Sequence, residues 1–125
     1  MHLLAGTATR DISPTEPAFL AGYPHEPRLS TGVHDPLLAS ALYLADGKTA
    51  LLLIGLDILF ISQRSTAFCR DAISRATGIP AGNILISASH THSGPVTSDQ
   101  LAWLDDPVVP PPDPGYMERF HRGII

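Results

Sequence analysis

Two histidines two residues apart, His90 and His92, follow an apolar run at residues 84–88 and precede Ser93, Gly94 and Pro95. Imidazole is the commonest protein ligand for zinc, and a catalytic zinc takes about three protein ligands plus an open position. Two histidines alone do not complete such a site. Residues 84–88, Ile-Leu-Ile-Ser-Ala, read as a strand buried on both faces, and in α/β proteins chemistry collects just beyond the carboxyl end of such a strand. If the extended conformation runs on for three residues, side chains at i and i+2 point the same way, so both imidazoles face one pocket. Gly94 and Pro95 then turn the chain away. Spacing by itself leaves two readings open: a metal or catalytic pair, or two polar residues satisfied in a loop.

The elements that must position this pair are legible from period and punctuation. Residues 37–44 and 49–59 are apolar runs separated by Ala-Asp-Gly-Lys, and Asp46-Gly47 is a hairpin signal, so the two runs are expected to pair antiparallel. Residues 62–77 place Ala67, Phe68, Ala72, Ile73 and Ala76 at helical spacing among charged residues, and Gly78-Ile79-Pro80 stops that helix. A strand, helix, strand order makes 84–88 parallel to 49–59 if they share a sheet, which brings Asp57 to the same end as the histidines. A carboxylate there is expected to point at the site from behind the metal ligands; capping of the following helix is the competing role. Residues 3–12 read as a further strand. The fold class is therefore α/β, a layered mixed β-sheet with packed helices.

Between Pro14 and Pro36 the chain is rich in proline and has no sustained period. Long irregular stretches in small domains are usually functional or disordered. Gly22 within Phe-Leu-Ala-Gly-Tyr lets backbone approach a substrate closely or supplies a positive φ. His34 either lines the pocket or is a hydrogen-bonded turn residue beside Asp35, and His25 reads as solvated. Asp11 is expected to fix the loop that follows it. Residues 101–104 hold the only tryptophan. A helix begins near Pro114 with Tyr116, Met117, Phe120 and Ile124 on one face, and it reaches Ile125 without a terminator, so the chain reads as cut off.

Composition removes several classes of function. The 125 residues suit one domain with a moderate core, and 44% hydrophobic residues fit a globular chain. A net charge of −4 offers no basic stripe, so nucleic acid is not expected as a partner. The single cysteine, Cys69, excludes an internal disulfide and reads as a small buried apolar residue. No export signal and no span of about 18 apolar residues is visible, which reads as a cytoplasmic protein without a transmembrane segment.

The segment His90-Thr91-His92-Ser93-Gly94-Pro95 resembles, at all six positions, the signature of the neutral (non-lysosomal) ceramidase family. Three other segments resemble it too: the opening around Asp11-Ile12-Ser13-Pro14, the Ala21-Gly22-Tyr23 loop, and Gly32-Val33-His34-Asp35-Pro36-Leu37. The resemblance implies the N-terminal part of a zinc-dependent amidase that splits ceramide into fatty acid and sphingoid base. It implies His90 as a zinc ligand whose companions, a histidine, a glutamate and a tyrosine, come later than Ile125, and His92 as a donor to the substrate or its oxyanion. Zinc would lower the pKa of a bound water towards ~7. Gly22 and His34 would then touch a lipid-like substrate. Val96, Thr97 and Ser98 stand where relatives carry glycines, so the groove beside the metal is expected to differ. A hydrolase of another amide or ester on the same scaffold, or a non-catalytic module without the metal, remain the alternatives.

Overall fold

The computed structural model describes residues 2–99 and 106–125. Seven elements follow in order: β1 (Leu4–Asp11), β2 (Leu38–Ala45), β3 (Ala50–Leu56), α1 (Gln63–Thr77), a 3-10 turn (Ala81–Asn83), β4 (Ile84–Ala88) and α2 (Pro114–Ile124). The strands form one mixed sheet in the order β1-β2-β3-β4. The α/β expectation is met, and the strand boundaries agree with the sequence pattern to within a few residues. The expected tryptophan segment, 101–104, lies outside the described residues.

The β2–β3 hairpin turns where Asp46-Gly47 placed it. Asp46 Oδ1 accepts from the backbone N–H groups of Lys48 and Thr49 at 2.9 and 2.8 Å, so one carboxylate closes the turn. β3 and β4 pair in parallel, with Leu52 opposite Ile84 and Leu56 opposite Ala88. Parallel neighbours need a crossover, and α1 supplies it. Ser62 caps that helix by accepting from Ser65 N–H at 3.0 Å, and Gly78 ends it in the left-handed conformation, φ +76°.

Both helices pack on one face of the sheet. Side chains alternate along a strand, so Ala39 on β2, Ile54 and Leu56 on β3 and Ile84 and Ile86 on β4 share that face. Ser65, Cys69 and Ile73, each four residues apart, are the buried stripe of α1. Tyr116, Phe120 and Ile124 are that of α2. Phe120, Ile12, Leu56, Ile58, Ile84 and Cys69 are fully buried at the centre. α2 sits close because Gly123 has no side chain: a Cβ there would lie 2.6 Å from Ile12 Cγ2. Tyr116 adds a buried bond from its hydroxyl to the Ile12 carbonyl at 2.9 Å.

The expectation that 84–88 is buried on both faces needs correction. Ile84 and Ile86 are buried, but Leu85 is 57% exposed, and Leu51 on β3 is exposed on the same side. The helices cover one face only, so an apolar run gains burial at alternate positions. Among the described residues no helix is long and apolar enough to cross a membrane.

Candidate functional site

His90 and His92 leave the carboxyl end of β4 alongside the continuation of β3. The pairing of the two strands outlasts the strands themselves: Ser89 N–H donates to Leu56 O at 2.9 Å and His90 N–H to Ile58 O at 3.0 Å. That backbone contact sets His90 beside Leu59 and Phe60. The ring Nδ1 of His90 donates to the Leu59 carbonyl at 3.2 Å, and its face meets the Phe60 ring in a T-shaped contact with centroids 4.9 Å apart.

The two imidazoles come together, though not by the route read from the sequence. His90 has φ +67°, so extension ends there rather than three residues later. Left-handed backbone at a non-glycine residue carries strain of order 1 kcal/mol and persists only where the surroundings impose it. The turn brings the His90 and His92 rings edge to face at 5.3 Å, closer than a straight strand with that side-chain spacing requires. Thr91 Oγ1 accepts from Ser93 N–H at 3.2 Å and completes the reversal.

A second segment braces the pair from the other side. Ala21 N–H donates to Gly94 O at 3.0 Å, Val96 N–H donates to Phe19 O at 3.3 Å, and Leu20 bridges Pro95, so residues 19–21 run antiparallel to 94–96. Gly22 and Tyr23 follow directly and border His92, with the Tyr23 and His92 rings T-shaped at 5.7 Å. Arg28 lies over the Tyr23 ring, 4.1 Å from its centroid. Buried Thr97 donates from Oγ1 to Phe60 O at 2.7 Å and holds the ring under His90. Ala21, Leu59 and Val96 form a small separate core beneath these loops.

Other candidates are placed as follows. Asp57 Oδ2 accepts from Leu38 N–H at 3.0 Å, while its own N–H donates to Leu38 O at 3.0 Å, so this carboxylate seals the open end of the β2–β3 pair. Helix capping, its competing role, belongs to Ser62. Asp57 also lines a groove of about 620 Å³ together with His34, Thr91 and Ser93. His34 is exposed and hydrogen-bonded through Nδ1 to Asp35 at 2.8 Å. His25 is exposed at its ring, but its backbone N–H donates to Asp106 Oδ2 at 2.8 Å. Asp11 accepts from Ser13 N–H at 2.7 Å, and hydrogen bonding from Ser13 holds its carboxyl below the usual range.

The side chains that shape the site and that composition did not single out are Tyr23, Phe60 and Thr97. Phe60 had no signal of its own, since the register that sets Leu56 opposite Ala88 brings Ile58, not Phe60, across from His90. Thr97 stood out only as a departure from the glycines of relatives, and its bond to a backbone carbonyl 37 residues away left no trace in the sequence. A small apolar recess of about 60 Å³ is lined by Gly22, Tyr23, Phe60, Val96 and Thr97 among others, and the first three of these also border His90 or His92.

The donor chemistry suits zinc in part. A Leu59 carbonyl on Nδ1 leaves Nε2 of His90 with a free lone pair, the state in which an imidazole binds a metal. Among the described residues no group of three or more histidine, cysteine, aspartate or glutamate side chains converges.

No protein-family model matches the chain, and no curated protein matches it significantly. Solved structures do. A ceramidase complexed with C2 matches with a TM-score of 0.80 and 21% identity, over 98% of this chain and 20% of that one. Neutral ceramidase from Pseudomonas aeruginosa matches with a TM-score of 0.80 and 23% identity, over the same shares. This chain spans about a fifth of the length of those two proteins, and across nearly all of its own length it has the fold of that part of a neutral ceramidase.

Proposed function

We propose that this chain supplies the first part of the active site of a zinc-dependent amide hydrolase of the ceramidase type, acting on the N-acyl amide of a ceramide-like lipid. His90 is the zinc ligand, through Nε2. His92, beside it, donates to the substrate carbonyl or to the negative charge that develops on it. Zinc, when bound, acts as a Lewis acid that polarises the carbonyl and makes hydroxide available near neutral pH. The protein's own part is to hold both rings in place before substrate arrives, since preorganised donors stabilise developing charge without reorganisation.

One observation carries the reading: Nδ1 of His90 lies 3.2 Å from the Leu59 carbonyl, which can only accept, so the neutral ring carries its proton on Nδ1 and keeps the Nε2 lone pair for a metal. The fold likeness to two ceramidases supports the same chemistry.

Calorimetric titration with zinc tests it directly. The 125-residue chain is expected to bind zinc weakly and to release no fatty acid from labelled ceramide, because two imidazoles fall short of a catalytic set. A polypeptide carrying further ligands is expected to hydrolyse ceramide, and His90→Ala should abolish both zinc binding and turnover. Zinc affinity untouched by His90→Ala would sink the assignment. A substrate panel that favours a short amide or an ester over ceramide would redirect it to another hydrolase.

A further inference from the structure

We propose that Gly22 is a positioning residue for His92, because the space its missing side chain leaves is the space the imidazole occupies. This rests on the reading of His90 and His92 as the reacting pair. A Cβ built on Gly22 would overlap His92 Nδ1 outright and would lie 2.7 Å from Cε1 and 3.0 Å from Cγ. Those separations are far inside van der Waals contact, and the obstructed atoms are the body of the ring rather than the tip of a flexible chain. Gly22 also has φ +93°, so any side chain at this position is strained as well as obstructed.

Two rings and a paired loop hold the imidazole against Gly22. Tyr23 meets one side of His92 at 5.7 Å and His90 meets it at 5.3 Å, each nearly perpendicular to the His92 ring. Residues 19–21 are themselves bonded to 94–96, so the chain just before Gly22 is anchored to the chain just after His92. With its Nδ1 edge turned to Gly22, His92 directs Nε2 away from the loop. Both histidines thus present the same ring nitrogen, His90 because a carbonyl holds its Nδ1 and His92 because a glycine lets its Nδ1 edge lie flush against backbone. Gly22 acts through His92 and needs no contact with substrate.

Nuclear magnetic resonance on the chain labelled at histidine with ¹³C and ¹⁵N tests this at fixed pH. In the unsubstituted chain the His92 ring protons are expected to show nuclear Overhauser contacts to Gly22 Hα and to the Tyr23 ring. Gly22→Ala should abolish the Tyr23 contact and move the His92 ring signals, while the His90 contact to Phe60 and the Phe120 core signals stay in place. Gly47→Ala is the control for backbone strain, since Gly47 has φ +88° and nothing within 4 Å of the added carbon. It should leave His92 alone. Retention of the His92–Tyr23 contact in Gly22→Ala, or an equal displacement in Gly47→Ala, overturns the proposal. Should Gly22→Ala fail to fold, Tyr23→Ala removes one brace without adding atoms, and unchanged His92 ring signals there would also overturn it. Zinc added to each sample separates the two readings: a His90 signal indifferent to zinc while Gly22→Ala still displaces His92 defeats the hydrolase reading and leaves the positioning role standing. In an active polypeptide Gly22→Ala should lower kcat by about 100-fold with little change in KM, the signature of a misplaced group.

Discussion

His90 Nδ1 and the Leu59 carbonyl oxygen meet at 3.2 Å, across a gap of 31 residues in sequence. The partner is main chain, so no substitution at position 59 removes the acceptor, and the tautomer of His90 is set by the parallel pairing of β3 with β4. What side-chain changes can disturb is the support around it. Thr97→Val removes the 2.7 Å bond to Phe60 O while keeping the shape of the side chain. Loss of one buried hydrogen bond with its acceptor left unsatisfied costs about 1–3 kcal/mol, which urea titration should read as a lower midpoint at constant slope.

The left-handed conformation of His90 makes a separate prediction. Glycine adopts φ near +67° freely and alanine does not. His90→Gly is therefore expected to be about 1 kcal/mol more stable than His90→Ala, although both lose the imidazole. Equal unfolding midpoints for the two variants would mean that the turn is not held at this residue.

Among the described residues Phe120, on α2, is the largest fully buried side chain, in one core cluster with residues of the sheet and of α1. Truncation to alanine should cost about 3–5 kcal/mol, a large part of the ~5–15 kcal/mol that stabilises a typical domain. Circular dichroism should show Phe120→Ala with a much reduced melting temperature. Met117→Ala on the same helix, at a half-buried position, should cost far less.

His121 lies on α2 against Phe120 and Phe68, hydrogen-bonded with the Ser65 hydroxyl at 2.9 Å, and burial pushes its pKa below the ordinary 6.5. The unfolded chain then takes up a proton at this site more readily than the folded one. Its contribution to stability is full above the unfolded value and is lost as pH falls through 6.5 towards the folded one. Melting temperature should drop between pH 7.5 and pH 5.5, and His121→Gln should flatten that part of the profile. A wild-type melting temperature that does not fall over this range would refute the assignment.

Cys69 is fully buried on α1, and burial pushes its thiol up to about 11. The thiolate is the reactive form, so a thiol reagent at pH 8 should label Cys69 only as fast as the helix packing opens. Labelling should accelerate with urea in step with unfolding.

The hairpin turn, the stop of α1 and the buried stripe of α2 were legible in the sequence, whereas the stripe of α1 was not: of the apolar residues read as its face, Ala67, Phe68 and Ala76 are exposed, and Ser65, Cys69 and Ile73 are buried instead. Each legible feature depends on neighbours close in the chain: Asp46 bonds residues two and three away, Gly78 closes its own helix, and Phe120 repeats Tyr116 one turn later. The placing of Asp57 at the same end of the sheet as the histidines also followed from topology, because a crossover helix makes β3 and β4 parallel, but its carboxylate turns to Leu38 N–H at the end of β2. What tertiary structure alone decided was how each ring is held. Beside the left-handed turn at His90, a carbonyl on its Nδ1, a threonine bonded to Phe60 O and a glycine flush against His92 join residues 31 to 70 positions apart, and no periodicity records such contacts. The burial of only one face of β4 belongs to the same class, since alternate exposure depends on which layer covers the sheet and a strand's own apolar residues look alike on either side.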